Sequence, residues 1–119
     1  MIEANTRSRC ICVQRDPDAV VNLGMDWNEH FDVCEIEPSV WAALDEDGFW
    51  DELGAVCGVI IDEHEEEEVD REKVSAGRDF IASYCRRPSL SAVLKAALSE
   101  MKVYFELALE RDTPVLVAG

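Results

Sequence analysis

The sequence predicts a mixed α+β domain: a small sheet of about four strands with two long C-terminal helices packed on one face. Three observations lead to that class. Short β-prone runs stand at residues 9–14, 31–36 and 115–118. Apolar residues in the C-terminal half recur with helical period. The chain has 119 residues, 48% of them hydrophobic, which is enough for one core and too few for two. Residues 1–119 therefore read as a single domain, with no internal repeat and no linker.

Each element has its own reason. Arg-Cys-Ile-Cys-Val-Gln at 9–14 is a short strand. Asp16-Pro17 looks like a helix start, with Asp as N-cap and Pro at the first helical position, and Gly24 would close that short helix. Phe31 to Ile36 alternates and is rich in β formers, which makes a second strand. Pro38 opens another helix in which Val40, Trp41 and Leu44 share a face. Asp47-Gly48 breaks it, and a further turn or two follows through Phe49, Trp50 and Leu53, with Asp47 placed to cap it. Ala55 to Ile61 is apolar and reads as a buried, central third strand, with Gly58 as a bulge or close backbone contact.

The acidic run at 62–72 reads as a solvated loop or the frayed start of a helix. Val74, Phe80, Ile81, Tyr84 and Cys85 then fall on one helical face, ending near Arg86-Arg87, which complement the negative pole of the helix. Pro88-Ser89 restarts the chain as a second helix to about Arg111, roughly 36 Å long and the spine of the fold. Leu90, Leu94, Leu98, Met101 and Phe105 lie on its apolar stripe. Val103, Tyr104 and Leu107 widen that stripe, so its C-terminal half is expected to be buried on most sides. Thr113-Pro114 ends it, and Val115 to Ala118 is the last strand. Strand order does not follow from the sequence.

Charge is the most unusual property. Eleven Lys and Arg stand against 26 Asp and Glu, a formal net charge of −15. The segment 16–70 holds 19 acids and no Lys or Arg, while the residues on either side are slightly basic. A chain of that sign does not seek DNA, RNA or an anionic membrane through bulk electrostatics. A one-signed block inside a folded domain also repels itself. Adaptation to a saline cytoplasm would put acids throughout; Lys is scarce at three, yet the C-terminal part is near neutral.

The chemistry sought in these residues is mostly missing. The first residues carry no apolar core of an export signal, and the longest apolar runs are far short of the roughly 20 residues that span a bilayer. An odd number of cysteines, Cys10, Cys12, Cys34, Cys57 and Cys85, fits reduced, mostly buried thiols in a cytoplasmic protein. Asp45, Asp47 and Gly48 match part of an EF-hand loop, but Ala43 and Gly54 fall where Ca²⁺ needs oxygen. Cys10 and Cys12 would form half a zinc site, completed only if Cys34 and Cys57 converged in space. His30 and His64 both sit inside the acid block, where a thiol pKa rises and a nucleophilic Cys–His pair is disfavoured. No Gly-x-Ser-x-Gly, Gly-rich phosphate loop or His-Glu-x-x-His occurs. The expectation is a protein that is not an enzyme, with no cofactor and no metal.

The constellation that remains is aromatic and acidic. Trp41 and Trp50 lie inside the block, flanked by Glu37, Asp45, Glu46, Asp47, Asp51 and Glu52. Aromatic anchors rimmed by one-signed charge suit docking on a basic protein. The expected function is a non-catalytic acidic binder, such as an immunity or inhibitor protein against a toxin or nuclease, or a mimic of nucleic-acid charge. Two alternatives stand beside it. One is a divalent-metal-dependent activity built on the acids, and the other a homodimer formed through the long C-terminal helix.

Overall fold

The computed structural model describes residues 9–15, 31–61 and 66–118. Among these, four strands and four helices follow one another: β1 (Arg9–Gln14), β2 (Phe31–Ile36), α1 (Pro38–Glu46), α2 (Phe49–Cys57), β3 (Glu66–Val69), α3 (Arg71–Cys85), α4 (Ala92–Arg111) and β4 (Val115–Ala118). The expected α+β class is the observed one. The helix expected from Asp16-Pro17 to Gly24 lies outside the described residues.

The sheet is antiparallel in the order β2-β1-β4-β3. The last strand is therefore inserted between the first and the third, and β1 and β4 are central. Register assigns the faces. Ile11 pairs with Cys34 and with Val117, and Val13 pairs with Val115. Those side chains point together into the core, under the helices. α4 lies directly against β1 and β2, and α3 packs against α4 and α2.

Two sequence expectations need correction. Ala55 to Ile61 is not a strand. Ala55, Val56 and Cys57 finish α2, and Gly58 ends it in the left-handed region at φ +74°. The Gly58 and Val59 amides both donate to the Gly54 carbonyl; the Val59 bond, at 2.9 Å, is the 6→1 bond of a Schellman cap and the Gly58 bond that of an αL cap. Nor is the run buried throughout: Val56 and Ile60 are exposed, the latter by 74%, while Cys57 and Ile61 are buried in the core and Val59 packs partly against it. Conversely, Glu66 to Val69, expected as a solvated loop or the frayed start of a helix, is the edge strand β3. Its single apolar residue, Val69, turns inward and is fully buried, and charged residues are what an edge strand carries to discourage further pairing.

Smaller differences have local causes. α2 takes Gly48 as N-cap rather than Asp47, with Gly48 at φ +84°. α4 starts at Ala92, because the Ser91 side chain accepts from the Leu94 amide at 3.2 Å. With 20 residues it is roughly 30 Å long, not 36 Å. Its C-terminal half is less enclosed than expected: Val103 is 58% exposed, and Tyr104 and Leu107 are half-buried. At Gly77 α3 packs closely on α4 and α2, since a Cβ there would lie 2.7 Å from Phe105 and 3.0 Å from the Cys57 sulfur.

Candidate functional site

The short helices α1 and α2 fold back on each other because their aromatic residues interlock. Trp41 and Trp50 stack at 3.9 Å between centroids, inclined by 21°. Phe49 meets Trp50 edge-on at 4.8 Å and Tyr84 edge-on at 5.0 Å, which ties α3 into the same cluster. The Trp50 indole N–H donates to the Trp41 carbonyl at 3.1 Å. Both tryptophans are 1% exposed. They are core residues, so the expected role as surface anchors passes away from their rings. The cause is the spacing: Val40, Trp41 and Leu44 on α1 and Phe49, Trp50, Leu53 and Cys57 on α2 form the inward faces of two short helices.

The acids that flank them project outward. Glu37, Asp45, Glu46, Asp47, Asp51 and Glu52 are all exposed. Two are held by α3. The Tyr84 hydroxyl donates to the Asp47 carboxylate, and burial and that carboxylate push the phenol up to about 12. Arg87 sits 3.5 Å from Glu52 and lies over the Tyr84 ring at 3.9 Å. Glu37, Asp45, Glu46 and Asp51 form no ion pair with any described residue. Asp45 and Glu46 occupy the last turn of α1, where the helix pole is already negative and basic residues are absent. That placement disfavours the local fold. Pro38, Ala42, Asp45 and Glu46 are exposed along α1, so its outer side runs continuously from Glu37 to the acidic corner.

The acid block does not form one surface. β2, with Glu35, and β3, with Glu66 to Glu68, are opposite edges of the sheet. Asp32 is neutralised internally, by Arg111 at 2.8 Å and Arg15 at 3.3 Å. Burial alone would raise its carboxyl; hydrogen bonds and charge from the two arginines outweigh that and hold it below the usual value. A docking surface built on the expected residues would be confined to α1 and the corner after it.

Three of the cysteines, Cys12, Cys34 and Cys57, are held as poorly nucleophilic thiols. All five are free thiols. Burial, followed by Glu100, pushes Cys34 up to about 12, and burial pushes Cys57 up to about 11. Cys12 is raised as well, by its sulfur neighbour Cys10 first and burial second. The sulfurs of Cys10 and Cys12 lie 3.5 Å apart, but Cys34 pairs with Ile11 and so belongs to the other face of the sheet. No group of three His, Cys, Asp or Glu among the described residues could hold a metal ion. No described helix is long and apolar enough to cross a membrane.

Tyr84 and Arg87 are site residues that sequence reasoning missed as such. From the sequence Arg87 reads as a complement to the helix pole and as one of several arginines able to pair with acids; its reach to Glu52 in particular depends on how α3 packs. Comparison with known proteins yields no matching family model, curated protein or solved structure.

Proposed function

We propose that this chain is a non-catalytic acidic binding protein that docks on a basic protein surface. An immunity or inhibitor protein acting on a toxin or nuclease fits this description, as does a mimic of nucleic-acid charge. One observation carries the reading: Asp45, Glu46 and Asp51 stand exposed without an ion-pair partner among the described residues, on a corner held rigid by the Trp41–Trp50 stack and the Tyr84–Asp47 bond. Like charges so placed repel one another in the free protein. A partner bearing Lys or Arg relieves that repulsion and is steered to the corner by it. Carboxylates at Glu37, Asp45, Glu46 and Asp51 can occupy a cleft built for phosphates.

The test is affinity capture. The immobilised chain is exposed to an extract of the cells that make it, at low salt, and eluted with rising NaCl. A basic protein retained at low salt and released by NaCl is the expected result. Retention of no basic protein would remove the proposal.

A further inference from the structure

A groove of about 310 Å³ lies between β2, the start of α1 and the N-terminal half of α4. Ile36, Val40 and Ala97 provide its apolar lining, together with Val93. Val93 is 65% exposed, so a branched aliphatic side chain stands in water there. The charged lining is Glu35, Glu37 and Glu100; neither Lys nor Arg is among the described residues that line it. The Cys34 thiol, buried on the same wall, donates to Glu100 at 3.6 Å. A groove at the lower end of the range for ligand pockets, roughly 300–1,000 Å³, has room for one long side chain rather than a cofactor.

Aliphatic walls beside carboxylates match one kind of group: a side chain that is apolar along its stem and cationic at its tip. We infer that this groove receives a single arginine or lysine side chain of the basic partner protein, with the stem along Val40, Val93 and Ala97 and the charge near Glu37 and Glu100. The inference rests on the docking function proposed above and supplies its anchor. The buried tryptophans cannot fill that role, and arginine set in a pocket is a frequent source of interface energy. The groove stands at the beginning of α1 and the acidic corner at its end, nine residues or roughly 13 Å away. The two would be covered together by one partner face.

The experiment titrates the isotope-labelled full chain with Nα-acetyl-arginine N-methylamide and follows backbone amide resonances. The citrulline analogue, similar in shape and uncharged, is the control. Saturable shifts centred on Glu37, Val93 and Ala97 are expected, with the citrulline analogue about tenfold weaker. Glu37→Gln with Glu100→Gln should weaken binding about tenfold, and Val93→Arg, a change at an exposed position, should abolish it by filling the groove. Glu68→Gln, on the opposite edge of the sheet, should leave probe affinity unchanged. Shifts spread evenly over all acids, no saturation, or equal binding of the citrulline analogue would each overturn the inference. Capture from extract is a separate readout. A salt-eluted partner that Val93→Arg retains as well as wild type removes the groove and leaves the docking function standing.

Discussion

The Trp50 indole N–H reaches the Trp41 carbonyl at 3.1 Å while the two rings stack at 3.9 Å. One aromatic pair thus supplies both the packing and the hydrogen bond that close α1 onto α2. Every acid of the corner is displayed outward because these two rings take the inward side. Trp41→Ala should cost about 3–5 kcal/mol, the usual loss for a large aromatic side chain removed from a core. In a Trp27→Phe background, the fluorescence of Trp41 and Trp50 should resist quenching by acrylamide until the chain unfolds. Urea unfolding and quenching measure the two effects. A loss below about 1 kcal/mol would mean that the rings are not core.

Arg111 links the end of α4 to the sheet twice, by its ion pair with Asp32 at 2.8 Å and its hydrogen bond to the Gln14 carbonyl at 3.0 Å. The Asp32 carboxyl is held below its ordinary value, so its contribution to stability is complete above the unfolded value near pH 3.9. It is lost as pH falls through the lower folded value. Asp32→Asn should therefore cost about 1 kcal/mol at pH 7, and the difference from wild type should shrink below about pH 4. Urea titrations across that range test it; a difference independent of pH would contradict the assignment.

Thr113 follows the left-handed Asp112 at the end of α4 and is 1% exposed, and its hydroxyl has no hydrogen-bond partner among the described residues. A buried hydroxyl without a partner opposes folding by about 1–3 kcal/mol. Thr113→Val keeps the shape and removes the hydroxyl. It should raise stability by about 1 kcal/mol, measured as a higher urea midpoint at unchanged slope. A loss of stability would show that the hydroxyl is satisfied in solution.

Repulsion among exposed acids gives a salt dependence. At 0.1 M salt the Debye length is roughly 10 Å, so NaCl screens neighbours across the corner. The melting temperature should rise on the order of 5 °C between low and moderate salt at neutral pH. The rise should be smaller in Asp45→Asn/Glu46→Gln/Asp51→Asn. A flat or falling curve would mean that the acids are already compensated within the chain.

Much of the fold was legible because most elements have one dominant signal. β1, β2 and β4 are short β-prone runs, and α1 and α3 show an apolar face with a clear beginning and end. Ala55 to Ile61 misled because a short apolar run does not distinguish strand from helix end. Its glycine carries the same weight as a bulge or as a cap, and only φ +74° decides. Glu66 to Val69 was illegible for the opposite reason. Its charge is what solvent dictates at an edge, and the pairing that makes it a strand comes from β4, almost fifty residues later.

The candidate site divides along the same line. Which acids are exposed follows from their spacing on α1 and α2. That the tryptophans between them are core, that Arg87 compensates Glu52, and that Glu35, Glu37 and Glu100 share a groove are consequences of tertiary packing.

The most direct measurement compares capture by the wild-type chain with capture by Asp45→Asn/Glu46→Gln/Asp51→Asn, after equal melting curves establish that both are folded. Extract from the source cells is applied at low salt, and bound proteins are released by an NaCl step and identified by mass. Retention of a basic protein by the wild type, and its loss in the neutralised variant, is the result this account predicts. Equal retention by both, or release of no basic protein from either, would contradict it.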